Sequence, residues 1–503
     1  MSGHPLRWIR SKFLRDAATL QVAGVLTQGS QVVSTILIAY LLGAEGQGTY
    51  VSAIALQGLV YFLVNVGVHT ATVSQLAAAA ARDNRDKVSG WLAFLAKAIL
   101  GFSLLIVPLG YFAVPEVGAW MYGTFDAAGA AYGREIGFWA WLLCLQPLLE
   151  LPRTVAAVAF QGTRRMLALS RVELAQEIVR IFLVILGALV TGSAAGAIVG
   201  HLAACGISSV VALDVYRRAR HDGAGFLPGI REVVRGIPQV PLRKGLRLGL
   251  RVGLLKNSHS LFINVFPRLI VGGVVGIDWV AYFHIAQRII QVPLLVMFGV
   301  SRVMLPALGE LAGLKDIERF KRLFFRVTLL TGTTVAAGIL ILMPFVPFLT
   351  SWLLPADYSK PVSEFYGILA IGYAILPFGS AHEAFYVATN TLRAWLWISA
   401  LGTALLLPVN VFLILTVDRT GTAWGLSAYL SWVLAHFFYI GYFFAKSRTR
   451  AVWEGQAMDA EAASEPPEGF GAAPVGTSAD SPGDAAADPS PDGSRDGAAP
   501  RGD

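Results

Sequence analysis

Charged and amide side chains sit inside stretches of this chain that are otherwise apolar, and their spacing groups them into stripes. Residues 280–308 carry His284, Gln287, Arg288, Gln291 and Arg302. At about 100° per residue these share roughly a third of a helix circumference. Residues 248–275 carry Lys256, His259, Ser260, Asn264 and Arg268, with Pro267 placed to kink a helix. Neither stretch contains an acid. Cations at membrane depth are costly and need a counter-charge from another helix, a lipid head group or a substrate. The chemistry expected of this pattern is anion binding on the wall of a polar cavity, contributed by Lys256, His259, Asn264, Arg268, His284, Arg288 and Gln291. Arg268 and Arg302 have a second option, which is to snorkel towards an interface.

Two earlier stretches read differently. Residues 135–160 carry Gln146, Glu150 and Arg153, and residues 166–190 carry Ser170, Glu173, Gln176, Glu177 and Arg180. Glu150 with Arg153 and Glu177 with Arg180 are spaced i,i+3, so each acid can pair with a base on its own helix and serve packing. In the cavity reading, Arg153 and Arg180 join the substrate-binding set, and Glu150, Glu177 and Glu383 are candidates for ion coupling. The first apolar stretch is uncharged but polar, with Gln21, Thr27, Gln28, Gln31 and Thr35. His69, His201, His382 and His436 are expected to hydrogen-bond between helices. No Walker-type loop, His-Glu-x-x-His or metal-spaced cysteine set occurs, so no catalytic residue, metal or cofactor is expected. Cys144 and Cys205 both fall in apolar stretches and read as small packing residues. Without a nucleotide site, active transport would draw on ion gradients, membrane potential or a partner.

The elements that position these groups follow from composition. Of 503 residues, 55% are hydrophobic and 14% charged, against about 25% charged in soluble domains. A helix crosses the bilayer core with about 20 apolar residues. Twelve stretches qualify, near 18–42, 47–69, 88–114, 135–160, 166–190, 193–216, 248–275, 280–308, 319–349, 364–388, 393–417 and 421–446. The first is too long for a signal peptide and lacks a cleavage site.

Charge then assigns sides. The net charge is +8; residues 454–503 hold eleven acids and two arginines, a contribution of −9, which leaves the remainder at +17. Alternate links hold twenty-eight basic residues against three in the opposite links (Arg134, Lys360 and Arg419). The positive-inside rule puts both termini and the central link in the cytoplasm. These charges set topology, and nucleic acid is not needed to explain them. Residues 1–16 read as a basic amphipathic segment on the inner surface. The link 217–247, with Pro228, Pro238 and Pro241, is expected along the anionic inner leaflet. The tail, 448–503, reads as a disordered acidic segment.

The spans also repeat. LLGAEGQGTY (41–50) returns as VVGIDWVAYF (274–283), and Asp83 as Asp316, both 233 residues on. Arg165 matches Arg393, and GSAAG (192–196) matches GTAWG (421–425), at offsets of 228 and 229. Two six-helix units, 17–216 and 248–447, follow, and duplication of a multi-span unit is common transporter architecture. An even number of spans gives both units one orientation.

The opening LLGAEGQGTYVSAIAL, and VVGIDWVAYFHIAQRIIQVPLLVMFGVSRVMLPALGEL in the second unit, resemble polysaccharide flippases of the multidrug/oligosaccharidyl-lipid/polysaccharide exporter superfamily, over about residues 15–450. The resemblance implies an all-α, polytopic, V-shaped pair of six-helix bundles (the MATE-like fold) around a central cavity. It also implies movement of a polyprenyl-diphosphate-linked oligosaccharide between leaflets, with a polysaccharide polymerase or export machinery as a possible partner alongside membrane lipid. Cationic cavities in that family agree with Lys256, His259 and Arg288. Drug antiporters of the superfamily typically carry an acid in the first span, and residues 18–42 have none; lipid II flippases usually have fourteen spans. The rivals are a cation-coupled exporter of small hydrophobic compounds and, ranked lower, a membrane polymerase or ligase. An enzyme of that kind needs a sizeable external loop, and the longest external link is about 115–134.

Overall fold

A computed structural model describes residues 5–446 apart from 65–67, 82–83, 124–126, 164, 222–226, 243–245, 247–260, 314–315, 390 and 418. Among the described residues every regular element is helical. That is what lipid demands, because an apolar segment must satisfy its backbone donors and acceptors internally. Among the described residues nine helices are long and apolar enough to cross a membrane, or ten if a pair bent by 50° near Leu149–Leu151 counts as one span.

Two of the expected twelve are hidden in that count. Helix α1 (Pro5–Val64) contains Gly43 at φ +66°. Its apolar part, Gly24–Phe62, has 39 residues, about 58 Å of helix, roughly twice the hydrocarbon thickness. The left-handed residue divides it into two spans, as the sequence pattern requires. The short helix α10 (Phe266–Val274) follows a π-helical turn at Leu261–Val265, and the residues before it are among those not described. Counted so, the described residues hold eleven spans and one shorter apolar helix, Leu261–Val274, within the stretch expected as the seventh. The repeat is visible in the backbone: Gly43 and Gly276 share the matched position of the two units, and both have positive φ, where a side chain would be strained.

Between these lie α2 (Val68–Ala81), α3 (Arg85–Tyr122), α4 (Ala127–Leu143), α5 (Gln146–Leu149), α6 (Leu151–Gly162), α7 (Met166–Thr191), α8 (Ala194–His221) and a short connector helix α9 (Ile230–Gly236). The second unit continues with α11 (Ile277–Gly313), α12 (Ile317–Leu342), α13 (Val346–Leu353), α14 (Ala356–Ile375), α15 (His382–Ala388), α16 (Leu392–Thr416), α17 (Gly421–Ser431) and α18 (Val433–Lys446). Asn84 and Asp316 open α3 and α12 by accepting from Lys87 N and Arg319 N, the usual side-chain caps for orphaned amides. Helix α1 is continuous through residues 5–16. The tail 448–503 lies outside the described residues.

The two ends of the bundle differ. Call the end near Arg85, Arg165 and Arg217 basic, and the end near Gly43, Glu116 and Asp278 acidic. One core cluster draws on both units: Ile38, Tyr50, Val51 and Tyr122 pack with Phe262, Val280, Phe283 and Phe365. At the acidic end Gly48 lies directly on the Ile277 backbone, and a Cβ on Gly272 would stand 2.7 Å from the Tyr122 ring. At the basic end the cores are separate. One holds Leu92, Phe94, Val158, Phe160 and Tyr216 of the first unit. The other holds Leu308, Phe320, Phe324, Phe385 and Phe444 of the second. Among the described residues, then, the units share a core at the acidic end and through the middle, and have separate cores at the basic end.

Candidate functional site

The bend between α5 and α6 is where the first polar cluster forms. Pro147 and Pro152 flank Glu150, and proline removes helix hydrogen bonds and opens the backbone. Glu150 is buried and accepts from Arg153 Nη2 at 2.6 Å. Its other oxygen accepts from Gln176 at 3.0 Å and Gln146 at 3.3 Å, and Gln57 of α1 donates to Gln146. Every partner of this carboxylate is within the first unit. Next to Gln176 on α7, buried Glu177 receives Arg180 through both Nε and Nη2. A two-pronged contact of this kind is the strongest geometry for the pair.

The second unit's cations meet neutral groups. Arg268 is buried between α10 and α11 and donates to Gln287 Oε1 at 3.1 Å. Gln287 in turn donates to the Ile263 carbonyl at 3.0 Å and to Tyr373 Oη at 3.3 Å. Arg268 is thereby part of a packed network within the second unit. Arg288, one position further on the stripe, points the other way. Its Nη1 donates to Gln31 Oε1 of α1 at 2.7 Å and to Gln291 Oε1 at 3.0 Å. Among the described residues no carboxylate lies within ion-pair distance of either arginine, and the Nε of each has no partner.

Arg288 is eleven residues from the start of α11, about 16 Å along the helix, near the middle of a core about 30 Å thick. It joins the two units at that depth, and the charges of Arg180 and Glu177 and the Tyr50 ring stand within electrostatic range of it. Tyr50 also bonds His201 Nδ1 at 3.2 Å. Buried His284 has an unpartnered Nδ1 between Arg268 and Arg288. The arrangement carries net positive charge, with Arg180, Arg288 and one carboxylate, Glu177, ringed by amides and the Tyr50 phenol.

The remaining candidates sort simply. Gln291 shares Arg288's donor, and Asn264 lies half-buried on the π-helical turn. Glu383 is exposed at the basic end, whereas His382 beside it is buried against Phe324. His436 bonds Tyr386 at 2.9 Å. Lys256 and His259 lie outside the described residues, as does the Arg302 side chain. Tyr50, Gln57 and Tyr373 belong to these clusters, and the polar stripes did not flag them. Their only trace in the sequence is a polar atom within an apolar run.

Helix packing around the site relies on small residues. Gly118, Gly133 and Gly137 bring α3 onto α4, and Gly187 and Gly196 bring α7 onto α8. Such close backbone approach replaces the hydrophobic drive that lipid removes.

This fold and this family have known members. The chain is 23% identical over 438 residues to stage V sporulation protein B of Bacillus subtilis (strain 168), covering 82% of this chain and 79% of that one. It superposes on a MATE transporter in complex with MaL6 with a TM-score of 0.62 at 15% identity, covering 86% of this chain and 96% of the other. A MOP-superfamily transporter of Pyrococcus furiosus Vc1, described as having a binding pocket of reverse polarity, gives 0.60 at 14% identity, with 86% and 96% covered. The shared fold is that of multi-pass membrane transporters. Residues 13–312 match the polysaccharide biosynthesis protein family, and the chain belongs to that family.

Proposed function

We propose that this transporter flips a polyprenyl-diphosphate-linked oligosaccharide across the bacterial cytoplasmic membrane for surface polysaccharide synthesis. The observation that carries the reading is Arg288, a mid-depth guanidinium between the units held only by amides. A diphosphate diester brings two negative charges. It can take charge-assisted bonds from Arg288, beside the Arg180–Glu177 pair, which stays intact. Low dielectric strengthens those contacts. Gln31, Gln291 and Asn264 supply hydrogen bonds for sugar hydroxyls, the sequence adds Lys256 and His259 to the cationic set, and the prenyl chain stays in lipid. Nothing in this step makes or breaks a covalent bond, so no catalytic residue is assigned.

The positive-inside rule orients the basic end, and with it both termini, to the cytoplasm. The separate cores at that end then correspond to a state open to the cytoplasmic leaflet, and rocking about the shared core would expose the site outward. Product release would hand the glycan to a polymerase or export machinery. Glu150, Glu177 and Glu383 are the carboxylates open to ion coupling.

The buried Glu150 and Glu177, with the MATE-like fold, favour one alternative, cation-coupled export of small hydrophobic compounds. The experiment is Arg288→Ala in a polymer-producing strain. Surface polysaccharide should fall at least about tenfold, the equivalent of one lost charge-assisted bond. Wild-type polysaccharide with normal protein levels, or drug resistance on overexpression that tracks Glu150 and not Arg288, would favour the exporter.

A further inference from the structure

The connector between the units is tied to the first of them. Leu227, Val233 and Val240 are buried in the first unit's basic-end core, beside Trp91, Leu92 and Tyr216. Tyr216 Oη donates to the Pro228 carbonyl at 2.9 Å. Glu232 accepts from Arg85 Nη2 and from Gly229 N, both at 3.0 Å. Lys97 Nζ donates to the carbonyls of Pro238 and Val240, both at 2.9 Å. Between Arg85 and Lys97 these ties cover twelve residues of α3, about 18 Å. The connector therefore climbs the side of α3, where a segment merely resting on the leaflet would lie flat.

Its outer face has one character. Arg231, Val234 and Arg235 are exposed and spaced i, i+3, i+4, so they share the side of α9 turned away from α3. Val234 is 56% exposed. Arg217, Arg218 and Arg220 are exposed on the last turns of α8, and a Cβ on Gly229 would stand 3.3 Å from Arg220 Nη1, so this helix end adjoins the start of α9. Asp214 pairs with Arg218 and Glu232 with Arg85, which leaves Arg217, Arg220, Arg231 and Arg235 without a carboxylate within ion-pair distance among the described residues. Above this level α3 exposes Leu104, Leu105, Leu109 and Phe112, the face expected against lipid chains. The arginines stand where head groups would begin.

We infer that the outer face of the connector is an anionic-lipid site, Arg217, Arg220, Arg231 and Arg235 gripping phospholipid phosphates while Val234 dips between them. Basic residues around an apolar point are the composition of an interfacial anchor. Because α9 is tied to α3, the anchor holds the whole first unit to the leaflet. The second unit has exposed bases at its basic end, Lys321 and Arg322 among them, but among the described residues no such strap.

The test is competition between phosphatidylglycerol and phosphatidylcholine for the full-length protein in detergent, read by native mass spectrometry of bound lipid. R231Q/R235Q should lower the preference for phosphatidylglycerol at least about tenfold. R231K/R235K should retain it, and K321Q/R322Q should leave it unchanged. An unaltered preference in R231Q/R235Q overturns the inference. So does a wild-type protein that shows no preference until residues 454–503 are removed, which would assign the arginines to the acidic tail.

Discussion

The two units solve the problem of an arginine within a membrane span in opposite ways. In the first, Arg153 and Arg180 each meet a carboxylate three residues back on the same chain segment. In the second, Arg268 and Arg288 meet only amide oxygens. A neutralised pair is part of the scaffold: its energy depends on staying intact, since breaking it strands a charge in low dielectric. A guanidinium held by neutral dipoles keeps its full charge and gains when an anion arrives. Under the proposed function, the difference marks Arg153 as scaffold and Arg288 as the receptive charge.

The sharpest way to break that comparison is to strand a charge. Glu150→Ala leaves the half-buried Arg153 without its acid and should destabilise the protein by about 3 kcal/mol, seen as a large drop in melting temperature in detergent. The double variant Glu150→Gln/Arg153→Gln should recover most of the loss, because neither group is then charged. Equal loss in both would mean that the pair is not structural.

Closure comes next in size. A side chain at Gly48 would run into the Ile277 carbonyl, so Gly48→Val should cost about 1–3 kcal/mol of the packed acidic end. Spin-label distances between α1 and α11 at that end should lengthen, and distances confined to the first unit should not. In the second unit the prediction reverses that for Glu150. Arg288→Ala should abolish flipping in proteoliposomes while shifting stability by no more than about 1.5 kcal/mol, the scale of an ordinary hydrogen bond. A collapse in stability there would make Arg288 a scaffold residue like Arg153. The smallest effect is expected at the strap, where Lys97→Met removes two bonds to carbonyls, about 1 kcal/mol in all given their exposure. Limited proteolysis near Pro238 should accelerate without loss of the transmembrane fold.

Much of this was legible in the residues. Apolar runs of bilayer length leave a chain no option but helix, so the spans could be read directly. Gly43 and Gly276, matched by the repeat, both prove to be positive-φ breaks. The i,i+3 pairs Glu150–Arg153 and Glu177–Arg180 are local, and local geometry alone brings them together. The histidines expected between helices include His201 on Tyr50 and His436 on Tyr386. What the stripes could not separate was Arg268 from Arg288. Both are cations on polar faces of neighbouring spans, without an acid on either helix.

Sequence by itself determined the helices, their number, their charge asymmetry and the self-paired acids, because those depend on hydrophobic length and on neighbours within one turn. Tertiary structure alone decided the direction of each second-unit cation. Arg268 turns into a network with Gln287 and Tyr373, and Arg288 reaches Gln31, 257 residues away. Contacts at such separation depend on how whole helices pack, through close approaches such as Gly48 on Ile277. No periodicity within a single span encodes that.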